Sequence, residues 1–238
     1  MNITISIGTR ADYLALAHLH YRSGPPATIA RVLVATIDAS AGAERETPIG
    51  VLVVSMPTLS GSWRSGAWPG VFDVGTPAER ARTLNRDLRC ISRVIVDPRA
   101  RGIGVAVALV AHYLRDPLTP RTEAIASMGN LCPFFARAGM TPIAISPSSR
   151  DQALRRALRD HGLDPVDLCD APRVARRARA RPALGRSLRT WADASRATRA
   201  QRHASTERLA VLAARSISHR KVAFVHTFAR DAAALAHT

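Results

Sequence analysis

Six consecutive residues, Arg101-Gly102-Ile103-Gly104-Val105-Ala106, place a cation, two glycines and an alanine where an apolar helix begins. Gly102, Gly104 and Ala106 carry little or no side chain, so a ligand can approach the backbone closely. The first turn of a helix has N–H groups without an intrahelical acceptor, and its end is electropositive. Together these features read as an anion site, and a pyrophosphate is its natural occupant. A dinucleotide-binding turn would need a third glycine and a first strand near the start of a parallel sheet. A nucleotidase phosphate loop would need Gly-Lys-Ser/Thr. The chain has neither arrangement.

The elements around this turn must hold it in place. Leu88 to Val96 is rich in β-branched and apolar residues and predicts a mostly buried strand, ended by Asp97-Pro98. An apolar helix then runs to about Leu114. Upstream, Ile3 to Ile7 alternates as a first strand, and Thr9 caps a helix from Arg10 to about His20. Val32 to Ile37 and Ile49 to Met56 read as an antiparallel hairpin. Residues 57–76 are irregular, and Trp63, Trp68 and Phe72 either pin that segment to the body or line a lid. Thr76-Pro77-Ala78-Glu79 is a capping box with proline in the first turn of a helix to about Arg86. Glu123 to Met128 and Pro142 to Ile145 read as further strands. Residues 151–159, 186–199 and 206–216 read as helices.

Val96-Asp97-Pro98 followed by Arg101, Gly104 and Ala106 resembles motif A of the GNAT acyltransferases, a strand ending in Val-x-Pro and then Arg-x-x-Gly-x-Gly/Ala. Asn130, followed by Phe134-Phe135-Ala136-Arg137-Ala138-Gly139-Met140, resembles motif B, an Asn after a strand and then Phe-Tyr-x-x-x-Gly-Phe. The resemblance spans residues 1–147 and is closest to acetyltransferase domains fused to ABC-type ATPases, though no ATPase motif is present. It implies an α/β GNAT fold, a mixed and mostly antiparallel sheet flanked by helices. Residues 148–238 would then be a basic, mainly helical C-terminal extension. The resemblance also implies acetyl-CoA as co-substrate and direct acyl transfer to an amine. By it, the backbone of Val94, Ile95 and Val96 pairs with the pantetheine arm as a substitute strand. The amides of Arg101, Gly102, Ile103, Gly104, Val105 and Ala106 hold the pyrophosphate, and Asn130 and Phe134 flank the pantetheine from the far side.

One departure from the pattern matters. The family commonly has a tyrosine as general acid where this chain has Phe135, which has no proton to donate. Tyr21, Ser127 and Cys132 are candidates for that role. Asp87, Glu123 and His20 are candidates for the base, and an imidazole titrates in the range the task needs. A second resemblance rests on His20-Tyr21-Arg22-Ser23-Gly24, which is similar to the His-Tyr-Ser-Gly-type segment of Mom-like phage proteins. Those proteins modify adenine in DNA on a GNAT-like scaffold.

Charge points to the acceptor. The formal net charge is +16, and residues 151–238 carry 18 basic against 8 acidic side chains. Arg173 to Arg181 holds five arginines in nine residues. Such an excess favours polyanionic partners, nucleic acid first, held through phosphates. Aromatics are scarce in this part, so base stacking is not expected. Cys90, Cys132 and Cys169 have neither metal nor disulfide spacing, which fits a reducing cytoplasm. No apolar run is long enough for a bilayer, and the N-terminus does not read as a signal peptide. The expected function is transfer of an acetyl group from acetyl-CoA to an amine on a large, acidic or nucleic-acid-associated acceptor. The alternatives are a Mom-like DNA adenine modification enzyme and a non-catalytic nucleic-acid-binding module.

Overall fold

Polar side chains cap several of the helices, and runs of β-branched and apolar residues form the strands between them. The structure is a computed structural model describing residues 3–20, 24–37, 47–218 and 221–229. β1 (Ile3–Gly8) leads through Thr9 into α1 (Arg10–Ala17). Thr9 Oγ1 accepts from the Asp12 N–H at 3.3 Å, and the Asp12 carboxylate accepts from the Thr9 N–H at 2.7 Å. This reciprocal cap satisfies two orphan donors. The helix stops short of His20 because the chain tightens, with the Leu19 N–H on Leu16 O and the His20 N–H on Ala17 O. β2 (Arg31–Ile37) and β3 (Pro48–Ser55) pair antiparallel, as the sequence predicts. α2 (Arg64–Ala67) is a single turn in the irregular segment, and α3 (Pro77–Asp87) starts at the Thr76–Glu79 capping box. β4 (Leu88–Val96), α4 (Val105–Arg115), β5 (Arg121–Ala126), α5 (Phe134–Arg137) and β6 (Thr141–Ala144) follow.

Seven strands form one sheet in the order β1-β2-β3-β4-β5-β7-β6, where β7 is Val222–Thr227. Every neighbouring pair is antiparallel except β4 and β5. The fold is therefore a mixed, mostly antiparallel sheet flanked by helices. α1 covers one face, with Tyr13 and Leu16 against Val32, Val51, Val53 and Ile95. α4 covers the other, with Val105, Leu109 and Tyr113 against Leu33, Leu52, Ile91 and Phe224. Full burial of each such aliphatic side chain stabilises by about 1.5–3 kcal/mol. A Cβ on Gly50 of β3 would lie 2.7 Å from Val105 Cγ1, so glycine there lets the first turn of α4 seat on the sheet.

β7 changes the expected domain division. It lies within residues 148–238, which the sequence groups as one helical extension, yet it pairs with β5 and β6 inside the sheet. The chain forms two compact units, one running to Ala144 and resuming at Lys221, the other lying between in sequence. The second unit holds α6 (Ser149–Asp160), α7 (Ala171–Ala180), α8 (Pro182–Asp193), α9 (Arg196–Arg199) and α10 (Thr206–Ile217). Its core is Leu154, Leu158, Leu168, Val174, Leu184, Leu188, Trp191 and Leu209. No helix among the described residues is long and apolar enough to cross a membrane.

The segment 57–76 is pinned rather than loose. Trp63 Nε1 and Arg64 Nε each donate to Glu123 Oε2 at 2.9 Å, and Arg64 Nη2 donates to Oε1 at 2.6 Å. Trp68 Nε1 donates to Thr227 Oγ1 at 2.8 Å, and Phe72 meets Trp68 edge-on. Glu123 is wholly buried, and both its carboxylate oxygens are committed to this pin. Removing one partner of a buried ion pair strands the other charge, at about 3–5 kcal/mol. Arg64→Ala is expected to lose about that much unfolding free energy in a urea titration, and Arg64→Met with Glu123→Leu to regain most of it. A single-variant loss below about 1 kcal/mol would show that the pair does not hold the segment.

Candidate functional site

β4 and β5 share a parallel register over Leu88–Arg121, Arg89–Thr122, Cys90–Glu123 and Ile91–Ala124, and the pairing ends there. Both strands continue, β4 to Val96 and β5 to Ala126. Beyond Ile91, β4 keeps β3 on one side, with Arg93, Val94, Ile95 and Val96 opposite Val53, Leu52, Val51 and Gly50. Ile125 and Ala126 keep only β7. The strands have forked, and the β5-side edge of β4 from Ser92 to Val96 offers peptide groups to an extended ligand.

Ser92 marks the opening of the fork. The β3–β4 register slips between Val53 and Val54, which face Arg93 and Ile91, so Ser92 is the extra residue of a β-bulge. Its Oγ donates to Val53 O at 3.2 Å and lies 2.6 Å from Ser55 Oγ. Strict alternation would put Ile91 and Ile95 on one face. The bulge instead sends Ile91, Val94 and Val96 to the α4 side and Ile95 to the α1 side.

The turn after β4 is held at both ends. Asp97 Oδ1 accepts from the Arg99 N–H at 2.9 Å, and its Oδ2 accepts from Arg99 Nη2 at 2.9 Å. These hydrogen bonds, the side-chain ones foremost, hold the Asp97 carboxyl at about 2. Arg101 Nε reaches Val96 O at 3.4 Å. Gly102 and Gly104 sit at φ values of 85° and 95°, a left-handed backbone that suits glycine. Among the described residues, no protein acceptor takes the N–H groups of Gly102 through Val107. A run of unfilled amides at the start of an 11-residue helix, next to a free strand edge, can hold an elongated ligand with an anionic end.

Val94, Ile95 and Val96 lie on the free edge, and Arg101 through Ala106 form the turn. Both groups therefore converge on the fork. Asn130, exposed, follows β5 at the end where the fork opens, and half-buried Phe134 packs with the α4-side core. Half-buried Ser127 and exposed Cys132 belong to the same connection. His20 follows α1, and Thr28, ahead of β2, accepts through its backbone O from Ser55 Oγ of β3 at 2.6 Å. Tyr21 lies outside the described residues. Asp87 is not brought to the fork. It precedes the closed end of the β4–β5 pair, about 16 Å along extended chain from Ser92. It is bound bidentately by Arg86 at 2.7 and 3.0 Å, with Arg121 at 3.9 Å. The Arg86 hydrogen bonds lower its carboxyl below the ordinary range.

Phe135 is buried, with ring centroids 4.3 Å from Phe134 and 5.2 Å from Phe224. Its position offers packing and no proton. The sequence reading missed Ser55, Ser92 and Arg93 as residues of the fork. The signal was the polar pair Ser92-Arg93 between Ile91 and Val94, where a bulge breaks alternation. Among the described residues, no cluster of three or more His, Cys, Asp or Glu side chains is placed to hold a metal.

No protein-family model matches the chain, and no curated protein matches it significantly. Solved structures similar to it include Arabidopsis thaliana NAA60 in complex with acetyl-CoA, at 14% identity and a TM-score of 0.43, covering 59% of this chain and 87% of that one. The NatC complex bound to Gag peptide and CoA is similar at 14% identity and a TM-score of 0.39, covering 63% and 90%. The KacTA–DNA complex is similar at 17% identity and a TM-score of 0.34, covering 59% and 85%.

Gly104 offers a direct check of the turn. No atom lies within 4 Å of a Cβ built there, so steric clash is absent and backbone strain decides. A β-branched residue at this φ is strained by about 1–3 kcal/mol and would tilt the amides away. Gly104→Val is expected to weaken binding of a pyrophosphate-bearing probe, CoA, at least tenfold in calorimetry, if the turn is the anion site, while the fold persists by circular dichroism. Unchanged affinity would remove the turn from the site.

Proposed function

We propose that this chain is an N-acetyltransferase of GNAT type that takes acetyl-CoA as acyl donor. The observation that carries the reading is the fork. A free β4 edge from Ser92 to Val96 runs into a turn whose amides, Gly102 through Val107, have no hydrogen-bond acceptor among the described residues. Pantetheine is extended and carries two amides, which suits an open strand edge. Its pyrophosphate suits the start of α4. Acetyl-CoA bound there supplies an activated thioester, from which an amine takes the acetyl group.

The chain's own residues then have two tasks. The first is placement. Val94, Ile95 and Val96 would align the pantetheine, Arg101 through Ala106 the pyrophosphate, and Asn130 and Phe134 the far side, so that a bimolecular reaction proceeds from a near-attack geometry. The second is proton movement. His20, just after α1, is our candidate base for the acceptor amine. Ser127 and Cys132, with Tyr21, are the candidates for returning a proton to the thiolate, since Phe135 has none. Asp87 and Glu123 are engaged in ion pairs away from this task.

The acceptor we infer is large and acidic or associated with nucleic acid. α7 supports this. It buries Ala171, Val174, Ala175 and Ala178 and exposes Arg173, Arg176, Arg177 and Arg179. The exposed arginines form a solvent-facing basic stripe of the kind that contacts phosphates. The reading is tested by isothermal titration of the full chain with acetyl-CoA, followed by mass spectrometry of proteins and nucleosides exposed to the loaded enzyme. A single-site micromolar affinity and an added acetyl mass on an amine are expected. No heat and no thermal protection by acetyl-CoA would overturn the reading.

A further inference from the structure

Arg64 and Arg93 are the buried arginines among the described residues, and they differ in one respect. Arg64 is 3% exposed, and its guanidinium is closed by the Glu123 carboxylate. Arg93 is 7% exposed and pairs with no carboxylate of the described residues. Its Nη1 donates to Ser92 O at 2.8 Å, its Nη2 reaches Gly24 O at 3.4 Å, and its buried Nε has no partner. Backbone carbonyls satisfy some of these donors but bring no charge to balance the cation. Burying an unbalanced charge is costly, and proteins leave one where something else completes it.

Packing does not explain the arginine. Its cross-strand neighbour is Val53, and the next side chain on that face is Ile95, both in the apolar cluster under α1. A leucine or methionine would fill the same space. The position does suggest an explanation. Arg93 immediately follows the bulge at Ser92, one step into the fork, on the α1 face. Val105 and the first turn of α4 pack on the opposite face. An anion met by Arg93 is therefore separate from one held by the turn at Arg101 through Ala106.

We propose that Arg93 binds an oxyanion, carboxylate or phosphate, carried by the acceptor close to its reactive amine. The proposal rests on reading the fork as an acyl-transfer site and narrows its substrate to anionic amines. Arg93 acts here as a specificity-determining residue. Its fixed guanidinium meets a planar or tetrahedral oxyanion through Nε and the remaining Nη hydrogens, and the ion pair gains strength from burial. A neutral amine of the same size would leave the cation uncompensated.

The test uses the full chain labelled with ¹⁵N-arginine, with the Arg93 Nε resonance identified by its loss in Arg93→Gln. Glycine against glycinamide probes a carboxylate, and O-phosphoethanolamine against ethanolamine probes a phosphate. The resonance is expected to shift with one anionic member and not with its neutral partner, and the responding pair tells carboxylate from phosphate. No shift with either anion, or an equal shift with the neutral amines, would overturn the proposal. In acetylation assays, the anionic-over-neutral ratio of kcat/KM is expected to fall at least tenfold in Arg93→Gln and to recover in part in Arg93→Lys. An unchanged ratio would also overturn it. Acetyl-CoA affinity is measured separately. Binding of acetyl-CoA with a silent Arg93 resonance would refute the anion site alone. A responsive resonance without acetyl-CoA binding would refute acyl transfer and leave the anion site standing.

Discussion

The parting of β4 and β5 after Ile91 is the constraint on which the rest of the site depends. A parallel pair inside a sheet normally satisfies its peptide groups along its whole length. Here the pairing ends after four residue pairs, and β4 continues beside β3 alone. The bulge at Ser92 changes the side-chain phase at the same place. Val94 and Val96 thereby join the α4 core, while Arg93 and Ile95 face α1. The result is an open strand edge whose end runs directly into the amide-rich turn. Gly50 completes the arrangement by letting Val105, the first residue of α4, seat on the sheet.

Two buried arginines show how the same residue type can serve different ends. Arg64 meets Glu123 in a bidentate contact, and Trp63 adds a third hydrogen bond to the carboxylate. That cluster fixes residues 57–76 against β5. It also takes Glu123 out of contention as a base, since the carboxylate already has its partners. Arg93 pairs with no carboxylate of the described residues and lies at the fork. The contrast is chemical rather than positional. A charge balanced within the fold is part of the scaffold, whereas one left unbalanced at the mouth of a site is available to a ligand.

Much of the fold was legible in the sequence because it is written in local rules. Thr9 with Asp12 and Thr76 with Glu79 form the caps, and Asp97-Pro98 ends β4. The glycines at 102 and 104 occupy the positive-φ positions that a close backbone approach requires. What was not legible depends on contacts distant in sequence. Val222 to Thr227 has a strand's composition, but its place between β5 and β6 follows from pairing with residues about a hundred positions earlier. The bulge at Ser92 depends on its register with β3. Asp87 is a candidate base by residue type, yet it stands before the closed end of the β4–β5 pair, a distinction that sequence order does not express.

Hydrogen–deuterium exchange of the full chain, with and without acetyl-CoA, tests the central claim most directly. If acetyl-CoA binds along the fork, exchange slows in two segments together, β4 from Ser92 to Val96 and the turn from Gly102 to Val107. Unchanged exchange in both segments at a saturating concentration of acetyl-CoA would contradict it.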